Sequence, residues 1–122
     1  MKVQGMQAIL YVKNMGVSAK FYAETLGLSL VTGLNSAELA HEFWVEFDLG
    51  GSHLALHADG EPQTHPSQAA LSFYVDDLMA YRDALIAKGV EVAPIIEPHP
   101  GVMFCSLRDP DGTPIFLKPA RD

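Results

Sequence analysis

Two stretches of the chain carry one hydrophobic pattern: "AILYVKNMGVSAKFYAETLGLSLV" (8–31) and "ALSFYVDDLMAYRDALIAKGVEV" (70–92). Each opens with an apolar, β-prone run that closes at Val12 or Val75. A polar residue follows, Asn14 in one and Asp76 or Asp77 in the other, suited to accept hydrogen bonds from the first N–H groups of a helix. Apolar positions at helical spacing come next, Val17, Phe21 and Leu26 in the first stretch and Leu78, Tyr81 and Leu85 in the second. Each predicted helix stops at a glycine fit for the left-handed C′ position, Gly27 and Gly89, and a new strand starts directly after it.

The spacing between matching positions barely drifts. It is 63 residues from Val12 to Val75, 62 from Gly27 to Gly89 and 61 from Gly51 to Gly112, where "GGSHLALH" (50–57) is mirrored by "DGTPIFLK" (111–118). Such self-similarity points to a duplicated unit. Each unit reads as strand, helix and three strands: "LSLVTG", "EFWVEFDL" and "SHLALHA" in the first, "VEVAPI", "VMFCSL" and "TPIFLKP" in the second. The expected organisation is one domain over 1–122, built of modules at about 1–60 and 69–122 and joined by the polar, proline-containing linker "EPQTHPSQ" (61–68). One helix covers only one face of each sheet. The other face must be filled by the partner unit, another subunit or a ligand, which is the physical argument for a pocket.

Composition narrows the function. With 122 residues, 48% of them apolar and 19% charged, the chain can bury a core without staples. Its net charge of −7 argues against nucleic acid, which requires basic patches, and is compatible with cationic small molecules. No apolar run is long enough to span a membrane, and the N-terminal stretch lacks the features of a signal peptide, so a cytoplasmic location is expected. The single cysteine, Cys105, lies in the apolar run "VMFCSL" and reads as a small packed hydrophobe. Asp109, Asp111 and Gly112 in "RDPDGT" read as turn chemistry rather than as a functional acidic cluster.

The stretches "YVKNMGVSAKFYAETLGLSL" and "LRDPDGTPIFL", with the repetition between them, resemble the vicinal oxygen chelate superfamily. That superfamily includes glyoxalase I, extradiol dioxygenases, methylmalonyl-CoA epimerase, fosfomycin resistance enzymes and bleomycin resistance proteins. The resemblance spans essentially the whole chain. It implies an α+β fold of paired βαβββ modules forming curled mixed sheets around a cleft, the glyoxalase/bleomycin resistance fold, commonly as a homodimer. In the enzymes it also implies a divalent metal, such as Mn, Fe, Ni, Co or Zn, held by four side chains. One ligand stands five residues before the Val that closes each opening strand, and one stands four residues after the Gly that precedes each closing strand. Here those positions read Gln7, Ala55, Ala70 and Phe116. Three of these cannot coordinate a metal, and a Gln amide oxygen alone will not hold one. Neither metal nor cofactor is therefore expected.

Other residues on the same strands could still carry chemistry. Alternation puts His53 and His57 on the face of Ala55, about 13 Å apart, too far to share a metal. One of them could be a base or a donor, or both could sit at wet strand ends. Alternation sends Phe43 and Trp44 to opposite faces and leaves open which of them meets the cleft. Glu46 shares the face of Trp44, so a cation beside an aromatic ring and a carboxylate would be well placed there. His41, His65 and His99 fall in polar or proline-containing stretches and read as loop residues. "APIIEPHPG" (93–101) reads as a mobile or extended loop. The resulting expectation is a metal-free protein that binds a small cationic or aromatic molecule, much as bleomycin resistance proteins sequester a drug. Its candidate lining residues are Gln7, Tyr11, Trp44, Glu46, His53, His57, Ser72 and Phe116. The alternative is a lyase, isomerase or dioxygenase with relocated metal ligands or a metal-free His or Glu base.

Overall fold

Helix entry is set by one side chain in each half of the chain. In the computed structural model, which describes residues 5–31, 39–58 and 70–120, Asn14 is extended and its Oδ1 accepts from the Val17 N–H at 3.1 Å. Asp77, not Asp76, does the same for the Ala80 N–H at 3.0 Å. Each cap satisfies a donor that the first helical turn leaves without a partner. At the far ends Gly27 and Gly89 have φ of 82° and 86°, a conformation that side chains with a Cβ resist. The chain divides into two compact units, Met1–Pro66 and Ser67–Asp122.

The first unit contains β1 (Met6–Tyr11), α1 (Met15–Lys20), a π-turn over Phe21–Thr25, β2 (Ser29–Leu30), β3 (Trp44–Asp48) and β4 (Ser52–His57). The strands form one curled sheet in the order β1-β4-β3-β2, with β1 parallel to β4 and the other pairs antiparallel. Val45, Phe47, Leu54 and Leu56 are buried on one face, the face covered by α1. Met15, Ser18, Ala19, Tyr22 and Leu26 are the buried positions from the helix and its π-turn. The expected stripe through Val17 is wrong, because Val17 lies on the outer side at 51% exposure. Small Ser18 and Ala19 face the sheet instead and let the helix come close. A reading keyed only to large apolar residues picks the opposite side of the helix.

The second unit repeats the plan with β5 (Leu71–Val75), α2 (Leu78–Ala87), β6 (Ile96–His99), β7 (Val102–Arg108) and β8 (Pro114–Pro119). Its order is β5-β8-β7-β6, again with the first pair parallel and the rest antiparallel. Leu78 and Leu85 of α2 are buried, as are Cys105, Leu107, Ile115 and Leu117 of β7 and β8. Burial pushes the Cys105 thiol up, which keeps it protonated and unreactive as expected.

One strand moves relative to the sequence expectation. "VEVAPI" forms no regular strand, and β6 falls on Ile96–His99, inside the stretch expected to be loop, so His99 is a strand residue. The carbonyls of Val92 and Ala93 are taken by the Arg82 guanidinium, at 3.3 and 2.8 Å, and are lost to a ladder. Pro94 has no N–H to give. Only the Ala93 N–H reaches β7, at Ser106 O, before regular pairing begins at Ile96 with Phe104. The run 32–33, the linker 61–68 and His65 lie outside the described residues.

The turn before β8 depends on Asp109, which is 6% exposed and whose Oδ1 accepts from the Asp111 and Thr113 N–H groups at 2.9 and 2.8 Å. Gly112 N–H closes the turn on Asp109 O at 2.9 Å. Asp109→Ala strips two part-buried donors of their acceptor and is expected to cost about 1–3 kcal/mol. Urea unfolding measures this, and a loss below about 0.5 kcal/mol, the size of an ordinary surface change, would contradict this role for the turn.

Candidate functional site

Strand β4 is flanked on both sides, and its two registers decide which side chains meet on the open face of the first unit. Gln7 pairs with His53, Ile9 with Ala55 and Tyr11 with His57 across the parallel ladder. Across the antiparallel ladder Asp48 pairs with His53, Glu46 with Ala55 and Trp44 with His57. Residues paired in register share a face, so three rows result: Gln7–His53–Asp48, Ile9–Ala55–Glu46 and Tyr11–His57–Trp44. Among the described residues this face bears two carboxylates and two imidazoles and no lysine or arginine. Six of the eight candidate residues are brought together here.

The polar end of this face centres on Glu46. Its Oε2 meets His53 Nδ1 in a short hydrogen bond, and its Oε1 accepts from Trp44 Nε1–H at 2.9 Å. The His53 hydrogen bond, then that of Trp44, holds the Glu46 carboxyl below the usual carboxylate range, with smaller help from Gln7. These outweigh the opposing effect of desolvation. On its other side His53 Nε2 lies 3.6 Å from Asp48 Oδ1. His53 thus stands between two carboxylates near the start of β4, its side chain 37% exposed.

The aromatic end is a short wall. The Tyr11 and His57 rings are 5.1 Å apart and tilted by 40°, and Trp44 meets His57 edge-on at 6.1 Å. Tyr11 and Trp44 remain 48% and 38% exposed, so their faces stay open to a ligand. Between the two ends Ala55 forms a fully buried floor beside Ile9. The open question of Phe43 and Trp44 resolves in favour of Trp44. Phe43 precedes β3 and is 72% exposed, so neither residue belongs to the core.

Ser72 and Phe116 lie in the second unit, on the open face of its sheet, as direct partners across β5 and β8. Phe116 packs edge-to-face on Phe104 at 5.5 Å. The four positions that the family resemblance reserves for metal ligands do not fit a metal. Gln7 is turned to Glu46, Ala55 is a buried methyl floor, Ala70 precedes β5 and Phe116 is stacked on Phe104. No cluster of three or more His, Cys, Asp or Glu side chains among the described residues could hold a metal ion. Asp48 was missed as a contributor. The available signal was its place two residues from Glu46 on the same strand face. The Glu46–His53 contact itself needs the antiparallel register of β3 on β4, which no spacing within one strand supplies.

Residues 6–117 match the model of the Glyoxalase/Bleomycin resistance protein/Dioxygenase superfamily, and the chain belongs to that superfamily. Its fold resembles the crystal structure of a lactoylglutathione lyase from Agrobacterium tumefaciens, at 21% identity and a TM-score of 0.70, over 92% of this chain and 90% of that one. A glyoxalase/bleomycin resistance protein from Catenulispora acidiphila is 24% identical with a TM-score of 0.71, covering 98% and 100% of the two chains. Another from a Streptomyces species is 24% identical with a TM-score of 0.69, covering 93% and 98%. At these identities the likeness is one of fold. Comparison with curated proteins gives no match. No helix among the described residues is long and apolar enough to cross a membrane.

The Glu46 contacts have a pH signature. A carboxyl whose folded-state pKa is depressed stabilises the fold above its unfolded value and loses that contribution as pH falls through the folded one. The stability difference between the wild-type protein and Glu46→Gln is therefore expected to shrink as pH drops below the ordinary value of 4.5. Urea unfolding from pH 7 to pH 3 measures it. A difference that grows on acidification would contradict the assignment.

Proposed function

We propose that this is a metal-free, small-molecule-binding member of its superfamily, which holds a planar cationic compound on the open face of the first unit. The observation that carries the reading is the wall of Tyr11, His57 and Trp44 standing beside a carboxylate kept ionised by His53 and Trp44. A flat ring would lie against the wall, gaining apolar burial and, if positively charged, attraction to the Trp44 face and to Glu46. Among the described residues no lysine or arginine stands on this face to repel such a cation. Sequestration of this kind requires no reaction, and the bleomycin-resistance-type relatives of the fold support the analogy. We extend the proposal to a homodimer, since an open sheet face of this kind is commonly completed by a second surface.

The Glu46–His53 bond supports one second reading, an enzyme without a metal. With Nδ1–H held by Glu46, Nε2 is the ring nitrogen left to exchange a proton. The two readings separate at His53→Gln. Sequestration tolerates the change with binding reduced at most a few-fold, whereas a catalytic His53 would show lost turnover with binding retained.

N-methylquinolinium and neutral quinoline form a matched probe pair for calorimetry at pH 7.5. The cation is expected to bind saturably and about 3- to 30-fold tighter than quinoline, the range given by a cation–π contact of moderate burial. Trp44→Ala is expected to abolish measurable binding, and Glu46→Gln to weaken it several-fold. Equal binding of both probes, or an unchanged Trp44→Ala variant, would overturn the reading.

A further inference from the structure

The second unit carries a groove beside a sheet face whose charge is opposite in sign. It measures about 640 Å3 and lies between the irregular stretch 90–94 and strands β7 and β8, lined among others by Glu91, Pro94, Ser106, Arg108, Pro114 and Phe116. The open face of this sheet presents Phe104, Ser106 and Arg108 from β7, Pro114, Phe116 and Lys118 from β8, and Ser72 and Tyr74 from β5. Among the described residues those strands place two cations and no carboxylate there, where the open face of the first unit places two carboxylates and no cation.

We propose that this groove is a binding site for a small aromatic carboxylate, with Arg108 as the anion anchor and Phe116 as the contact for the ring. Three features carry the assignment. Arg108 is tethered through one nitrogen, Nη1 to Gly112 O at 2.8 Å, and the rest of its guanidinium has no partner among the described residues. A guanidinium fixed at one corner presents a pre-oriented N–H edge of the geometry that suits a carboxylate. Second, Ser106 stands between Arg108 and Phe104 on the same strand face and directly opposite Phe116, so a hydroxyl, a cation and an aromatic wall converge on one space. Third, the far wall is built in advance. Arg82 clamps the carbonyls of Val92 and Ala93, and the Ala93 N–H holds the stretch to Ser106 O at 2.9 Å. A groove that needs no ordering on binding keeps the affinity that ordering would consume. Its volume lies in the range of small-molecule sites. Glu91 is the one acid on its lining, at the exposed rim, and it selects against a doubly charged phosphate more strongly than against a single carboxylate. The inference goes beyond the reading of the first unit and does not rest on it.

The test is a 15N-resolved NMR titration of the full chain with 2-naphthoate, 2-naphthalenemethanol and inorganic phosphate. Saturable shifts with 2-naphthoate are expected at Ala93, Ser106, Arg108 and Phe116, with the signals of Trp44 and His53 unmoved. The alcohol, which keeps the ring and lacks the charge, is expected to bind at least about tenfold more weakly, the scale of one charge-assisted hydrogen-bonded pair. Arg108→Gln is expected to weaken 2-naphthoate by a similar factor, and Glu91→Gln to tighten it about two- to fivefold at low salt. Arg108 also braces the turn at Gly112, so Arg108→Lys, which keeps the charge without the fork, provides a second variant and is expected to fall between the two. The comparison of acid with alcohol on the unaltered protein decides the matter even if both variants unfold. Equal binding of acid and alcohol, shifts confined to the first unit, or saturation by phosphate alone would overturn the proposal.

Discussion

Strand β4 is the constraint on which the candidate site depends. It is hydrogen-bonded on both edges, parallel to β1 and antiparallel to β3, and so two registers must hold at once. Slipping either by one residue would send Leu54 and Leu56 toward solvent and the histidines into the core. The core thus enforces the site. Burial of Val45, Phe47, Leu54 and Leu56 against α1 is what brings Glu46 opposite Ala55, next to His53, on the reverse side of the sheet. The pairing of Glu46 with His53 and Trp44 then follows from side-chain reach across neighbouring strands.

Both units use one scaffold, and the differences between them lie in what replaces the family's ligand positions. In the first, Gln7 and the buried Ala55 stand at those positions, beside the hydrogen-bonded group of Glu46, His53 and Trp44. In the second, Ala70 and Phe116 leave an aromatic surface, and Arg108 brings the opposite charge to it. A superfamily whose cleft usually organises a metal here displays two open sheet faces with distinct side-chain chemistry. Fold membership is secure from the family match, but function has to be argued from these faces.

Much of this architecture is legible in the sequence because it rests on short-range chemistry. The caps at Asn14 and Asp77, the glycine stops at Gly27 and Gly89, and the turn of Asp109 each involve residues within a few positions of one another. The repeat offsets carry the rest of the topology. What escapes is what needs partners distant in sequence. Val17 reads as core only if Ser18 and Ala19 are discounted. The shift of β6 to Ile96–His99 depends on Arg82, on another element, taking two carbonyls that a ladder would need. Trp44, Glu46 and His53 could each be singled out, but the hydrogen bond joining Glu46 to His53 exists only in register. Arg108 passes for an ordinary turn-flanking cation until the stretch 90–94 is seen to form a wall beside it.

Thermal denaturation of chelator-stripped protein with Mn2+, Ni2+ or Zn2+, beside the same titration with N-methylquinolinium, tests the metal-free binding claim most directly. A compound that binds the native state raises the melting temperature by mass action. The expected result is a saturable rise with the organic cation and none with any of the metals. A saturable rise with a metal and none with N-methylquinolinium would contradict it, placing a metal centre where Gln7, Ala55, Ala70 and Phe116 supply no set of ligands.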